Sequence, residues 1–359
     1  PANGYILGGG VSLTSLLGDT SSTHISSGLF NFLITSKKQI IYNLRSNIYS
    51  RDDKWILQGD WRFLLFSQKT YGLGIYDVNS YDNTFYLNSD ISGNGNVPEE
   101  EPMRYNYIRF YESVNRKIAK NLYWGLGVNI DVHSHIRDNI LDTSLTHTKI
   151  TNHYHYSIKN GFSPFYYSTS GLIMNLIYDT RDNSINTFKG EYAQLSFRSN
   201  HTFLGSSENS TSLFYDFRKY YQLSPDKRGH ILAFWLWGQF LIAGKIPYLA
   251  LPSITWDTYN RSGRGYIQGR FRGENMVYLE SEYRFPISKS GLIGGVLFLN
   301  TTSASCTSSK QKLFTSIAPG YGAGIRIKFD KETRTNMVVD VGIGRFHSSG
   351  IYFNLQETF

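Results

Sequence analysis

Cysteine is almost missing from this chain: Cys306 is the only one in 359 residues, so no intrachain disulfide can form. Charged residues make up 18% and proline accounts for 9 positions, so neither a disordered polyelectrolyte nor a proline-rich linker fits. No stretch of about eighteen uninterrupted apolar residues occurs, which excludes a helical membrane span. The mean hydropathy of −0.32 does not exclude a β-barrel, because barrel strands show lipid only alternate side chains. A Gly-x-Ser-x-Gly elbow and a phosphate-cradling loop ending in Lys-Ser or Lys-Thr are also absent, and Ser, His and Asp form no distinguishable triad. No enzymatic activity, cofactor or small-molecule substrate is expected. The net charge of +8 comes from dispersed Lys and Arg rather than a basic patch, so nucleic acid is not an expected partner. The chain begins at Pro1 without a charged-then-apolar leader, the pattern of a mature, processed protein.

Aromatic residues reach 16% beside 33 glycines, a mixture that favours strands. Segments with period two recur along the chain, separated by polar turns. In 276–285, Val277, Leu279, Tyr283 and Phe285 alternate with Met276, Tyr278, Glu280, Glu282 and Arg284, which directs the charge to one face. The same split separates Tyr321, Ile325 and Ile327 from Arg326 and Lys328, and Val339 and Val341 from Asp340. Such segments fall at 5–17, 23–35, 39–50, 54–67, 103–117, 121–135, 166–180, 188–200, 210–223, 229–243, 273–287, 291–302, 315–329, 334–346 and 350–359. Because antiparallel closure needs an even number, a sixteenth is expected within 72–102. The expected fold is therefore an all-β, 16-stranded antiparallel transmembrane barrel formed by residues 1–359 as one domain. With Phe359 ending a strand at the periplasmic rim, the connections at 117–121, 181–188, 224–229, 287–291 and 329–334 are short periplasmic turns. The long ones at 136–165, 244–272 and 302–314 are then extracellular.

Two features invite competing readings. His133, His135, His147, His153 and His155 gather around one long connection, and two His-x-His pairs on a strand face could hold zinc or copper. Without a cysteine or firm carboxylate partner, a solvated polar loop is the plainer reading, and no metal is expected. Gly8, Gly9 and Gly10 in the first segment either leave room for a bulky neighbour or weaken the ladder at a barrel seam opposite a last strand carrying Ile351, Phe353, Leu355 and Phe359 on one face.

The segment 263–273 reads Gly-Arg-Gly-Tyr-Ile-Gln-Gly-Arg-Phe-Arg-Gly and precedes a strand ending Glu282-Tyr283-Arg284-Phe285-Pro286. It resembles the BamA/TamA superfamily of bacterial surface antigens, in its short Bacteroidota-like form. Tyr178-Asp179-Thr180-Arg181-Asp182-Asn183 before Lys189-Gly190, and the terminal Phe359, are similar to further motifs of that family. The resemblance implies a loop folded into the lumen through Arg264, Gly265 and Tyr266, continued by Gly269 and Arg270. It also implies a bacterial outer-membrane location among lipids, a role in assembly, insertion or translocation of outer-membrane or surface proteins, and protein partners in a larger complex. POTRA domains, which full insertases carry before the barrel, are not visible ahead of Tyr5, and Asn300 stands where many members place Asp.

An arginine carried into a lumen presents five donors in a planar fork that suits carboxylates. Asp340, Glu280 and Glu282 face the expected lumen and are the candidate anchors, with Asp340 preferred. The plainer reading of Arg264 is that it only rigidifies the barrel. The rival function is a plugged, non-insertase barrel that acts as a scaffold or membrane anchor for partner proteins.

Overall fold

In the computed structural model, residues 5–20, 22–75, 100–144, 149–223, 229–307 and 310–359 are described. Among these residues fifteen strands form one antiparallel sheet, each hydrogen-bonded to its sequence neighbours. They are β1 (Ile6–Ser15), β2 (Ser26–Thr35), β3 (Ile40–Tyr49), β4 (Trp55–Thr70), β5 (Glu101–Ala119), β6 (Leu122–Asp138), β7 (Tyr167–Asp179) and β8 (Gly190–Asn200). The sheet continues through β9 (Ser210–Gln222), β10 (Ile231–Gly244), β11 (Asn275–Pro286), β12 (Ile293–Ala304), β13 (Ala318–Lys328), β14 (Asn336–Gly344) and β15 (Ser349–Leu355).

Alternation decides which face each residue takes. Leu172, Met174 and Leu176 of β7 and Leu297 and Leu299 of β12 point outward, whereas Asn175, Glu280, Glu282, Arg326 and Asp340 are buried inside. Outward apolar side chains gain the lipid environment, and inward polar ones are satisfied by one another. Asp60 illustrates the second effect, accepting from Arg62 at 2.7 and 2.8 Å and from Arg109 at 3.2 Å.

The expected sixteenth strand in 72–102 falls largely on 76–99, outside the described residues. Throughout its length β4 pairs directly with β5, from Trp55↔Arg116 to Thr70↔Glu101, so nothing is inserted between them in the sheet. Two further expectations need correction. The 136–165 connection contains a helix, α1 (Asn152–Asn160), started by the Thr151 side chain accepting from the Tyr154 amide and ended by Gly161 in the left-handed conformation. It places His153 and His155 on a helix rather than a strand, while His133 is buried and His135 exposed, so neither pair shares a strand face. Residue 147 is outside the described residues.

The last strand also stops earlier than expected. Gln356 adopts φ +76°, a conformation off the strand path, and turns Glu357, Thr358 and Phe359 into the lumen. Phe359 packs against Tyr220 and Trp235, and its carbonyl accepts from Arg284 Nη2 at 2.9 Å. It therefore does not share the outward face of Ile351 and Phe353, which are 63% and 75% exposed.

At the short-turn rim, His24 ties two connections together. Its Nδ1 lies 2.6 Å from Asp53 Oδ2 and its Nε2 lies 2.9 Å from the Arg181 carbonyl oxygen. Both partners are acceptors, so the doubly protonated ring satisfies both contacts at once. Burial opposes that charge, but the Asp53 hydrogen bond, the Asp179 and Asp53 charges and the Arg181 carbonyl outweigh it and raise the His24 pKa above its ordinary 6.5. A raised folded-state value stabilises fully below 6.5 and stops doing so as pH rises through the folded value. Thermal melting of the detergent-folded barrel should therefore fall over that interval. In His24→Gln this part of the pH dependence should vanish; an unchanged profile would refute the assignment.

Candidate functional site

The connection between β10 and β11 does not project from the barrel. It crosses the lumen, burying Ile246, Tyr248, Ile254, Arg264, Tyr266 and Phe271. On one wall Arg62 of β4 donates to Asn260 Oδ1 at 3.0 Å and to the carbonyls of Asp257 and Thr258 at 3.1 and 3.0 Å. At its base Arg272 Nη1 donates to the carbonyls of Tyr248, Leu249 and Leu251 at 3.0, 2.9 and 3.1 Å. These guanidinium groups satisfy backbone that has left the sheet ladder.

On the opposite wall stands Arg264, 2% exposed. Its Nη1 donates to Asp340 Oδ2 at 2.6 Å, and its Nη2 donates to Glu280 and Glu282. The guanidinium lies 3.7 Å from the centre of the Phe298 ring. The structure thus brings Arg264 together with all three candidate carboxylates. Two further arginines bring the charges close to balance: Arg326 donates to Asp340 at 2.5 Å and Arg284 to Glu282 at 2.7 Å. Glu280 differs, since besides Arg264 it accepts only from the Tyr278 hydroxyl among the hydrogen bonds described.

The glycines explain how the backbone comes so close. Gly265 has φ +106°, and a Cβ there would meet the Ile343 carbonyl carbon and oxygen at 2.8 Å. Across the gap, a Cβ on Gly342 would lie 2.6 Å from the Gly265 nitrogen. The Gly265 amide donates to the Tyr352 hydroxyl at 2.8 Å, which donates to the Tyr266 carbonyl at 3.1 Å. The Tyr266 hydroxyl donates to the Pro319 carbonyl and accepts the Arg345 amide. Gly269, with φ +78°, approaches Gln68. Arg270 lies apart from the carboxylates, stacked 4.1 Å from the Tyr71 ring centre.

Phe298, Tyr352, Gly342, Arg284 and Arg326 were not singled out by sequence. Asn300, which cannot neutralise an arginine, donates through Nδ2 to the Arg264 carbonyl at 2.9 Å. The inward alternation of β12 to β14 was a signal for most of these, but the partner each residue meets depends on strand register.

At the seam, Gly8, Gly9 and Gly10 lie in β1 opposite Leu33, Phe32 and Asn31 of β2. A Cβ at Gly8 would meet the Phe32 carbonyl oxygen at 2.2 Å and one at Gly10 would meet Asn31 Oδ1 at 2.3 Å, whereas Gly9 faces open space. Gly8 and Gly10 thus have a packing reason. Among the described residues no ladder joins β1 to β15, and a side-chain bond from Gln356 to Ser12 at 3.4 Å spans the gap. Phe353 lies on the outer face beside this edge and Phe359 does not.

Asp179 and Arg181 form a second buried pair, at 2.9 and 2.7 Å, with Arg181 stacked 4.5 Å from the Tyr192 ring centre. Gly190 has φ +107° where a Cβ would lie 2.3 Å from the Thr180 carbonyl oxygen.

No curated protein matches the sequence. Among solved structures, the fold is similar to BamA from Haemophilus ducreyi lacking POTRA domains 1–3, with a TM-score of 0.58, 12% identity, and 99% of this chain aligned to 69% of that one. It is also similar to CdiB from Acinetobacter baumannii, with a TM-score of 0.55, 10% identity, and 98% of this chain aligned to 56% of that one. The model of the Omp85 superfamily domain matches residues 67–330, which include β5 to β13 and the whole lumenal loop with Arg264. The chain therefore belongs to the Omp85 superfamily, as a β-barrel of the bacterial outer membrane with a BamA/TamA-type fold.

Proposed function

We propose that this barrel assists the assembly, insertion or translocation of other outer-membrane or surface proteins by offering the β1 and β15 edges to an incoming strand, as a subunit of a larger complex. The observation that carries this reading is the seam, where among the described residues no ladder joins β1 to β15. In a sheet of fifteen alternating strands the first and last run parallel, so one antiparallel strand would complete the ladder on both sides. Family membership supports a general role in outer-membrane protein assembly or translocation.

Strand length adds a second argument. At about 3.3 Å per residue, the seven residues of β15 span about 23 Å and the nineteen of β5 about 63 Å. The wall is thus lowest beside the seam, where a thinned bilayer lowers the barrier to insertion. In this reading Arg264 and its carboxylates hold the lumenal loop against β11 to β14 and keep that wall in shape while the seam changes.

The scaffold alternative rests on the same loop, since a lumen crossed by buried side chains suits an anchor. Cysteine pairs between 6–12 and 350–357 separate the two readings. Locking them should stop client assembly if the seam works as proposed, and reduction should restore it. Full activity in the locked barrel would favour the scaffold.

A further inference from the structure

The short-turn mouth of the barrel contains a cavity of about 930 Å³ that lies away from the β1–β15 seam and reaches the Arg264 cluster only at its deeper wall. Its rim carries Lys189 from the β7–β8 connection, Lys289 from β11–β12, and Lys328 and Lys331 from the end of β13 and the turn after it. Its deeper wall carries Arg284 and Arg326, both buried. Among the described residues two carboxylates line it, and both are engaged: Asp182 accepts from Arg334 at 2.7 Å and Glu357 from Arg326 at 2.7 Å. Asp330 and Glu332 share the turn of Lys331 but do not line the cavity. Among the described residues, four lysines converge on one concave space without an ion pair to a lining carboxylate.

Two buried donors on the deeper wall, Arg284 Nη1 and Arg326 Nη2, have no hydrogen-bond partner among the described residues, Arg326 Nη2 lying 3.8 Å from Glu282 Oε1, and a carboxylate acceptor would satisfy such groups. The structure also shows what such an acceptor looks like. Glu357, on an irregular peptide segment, reaches this wall and is held by Arg326 and by Asn336 Nδ2, each at 2.7 Å.

We propose that this basic mouth is a docking site for an acidic peptide segment of a partner protein, entering along the barrel axis. A peptide is favoured over a lipid headgroup because the buried arginines of the deeper wall, Arg284 and Arg326, face the lumen, while Ile287, Ile293, Ile327 and Phe329 at this level lie on the outer surface. Cationic side chains around a concave mouth focus the field and speed capture of an anionic segment. The site does not depend on whether the seam opens.

The test uses the whole barrel in phosphatidylcholine nanodiscs and a fluorescein-labelled oligoglutamate peptide, read by anisotropy. Binding should weaken with added salt. The triple variant Lys289→Glu/Lys328→Glu/Lys331→Glu, at two exposed positions and one half-buried one, should lose about tenfold or more in affinity. Lys38→Glu/Lys312→Glu, at the opposite rim, should bind as the parent does. No binding at low salt, equal binding by parent and triple variant, or an equal loss in the opposite-rim control would overturn the proposal. Loss of peptide binding when phosphatidylglycerol is added to the discs would assign the mouth to lipid headgroups and overturn it too.

Discussion

Replacing Arg264 by alanine should release the lumenal loop, and trypsin should then cut within 255–272 at sites protected in the parent. Removing one partner from a buried ionic cluster leaves charge without compensation, at a cost of about 3–5 kcal/mol. The three carboxylates do not suffer equally. Asp340 keeps Arg326 and Glu282 keeps Arg284, whereas Glu280 keeps only the Tyr278 hydroxyl. Most of the loss should therefore come from Glu280, and Arg264→Ala combined with Glu280→Gln should recover part of the protection, a coupling that a double-mutant cycle measures. Asp340→Asn should open the loop less than Arg264→Ala, because Arg264 retains two carboxylates. Arg264→Lys should resemble alanine more than arginine, since one ammonium cannot span three acceptors and stack on Phe298. Equal protection in parent and Arg264→Ala would remove the anchoring role.

Gly265→Val should displace the same loop by a different route. A β-branched residue at φ +106° is strained, and its Cβ would meet the Ile343 backbone at 2.8 Å, which cannot swing aside as a side chain can. Strain and overpacking together should cost about 2–5 kcal/mol. Gly269→Ala is the informative comparison: its φ of +78° is also left-handed, but its Cβ would meet the end of the Gln68 side chain, which can move. Gly9→Ala meets nothing within 4 Å and should be close to neutral. The order of destabilisation should be Gly265→Val, then Gly269→Ala, then Gly9→Ala, read from thermal melting and tryptic cleavage. Matching effects at 265 and 9 would contradict the described packing of the loop on β14.

How much of this was legible in the sequence differs by feature. Strand alternation was legible because period two is local: Glu280 and Glu282 against Leu279 and Tyr283 is readable without knowing any neighbour. The fifteen segments read from sequence correspond to β1 to β15 for that reason. Parity asked for a sixteenth strand, most of whose expected range lies outside the described residues, and an even count follows only if the sheet closes on itself, whereas among the described residues no ladder joins β1 to β15. Phe359 extended the apparent alternation of Ile351, Phe353 and Leu355, but the positive φ at Gln356 and the pull of Arg284 on the terminal carbonyl are not local signals. The Arg-Gly-Tyr element pointed to the loop, and inward alternation pointed to its carboxylates. Phe298 beneath the guanidinium and Tyr352 on the Gly265 amide needed the register of β12 and β15, which no single segment encodes.

The central claim is that the edges of β1 and β15 receive a client strand. A photocrosslinking residue placed at Val11 on β1 or at Phe353 on β15, with Leu176 of β7 as a control on the lipid-facing wall, tests it during client assembly in living cells. The account predicts client adducts from positions 11 and 353, absent at 176 and lost when the seam is locked by a disulfide. Client adducts of equal yield at all three positions, or adducts that persist in the locked barrel, would contradict it.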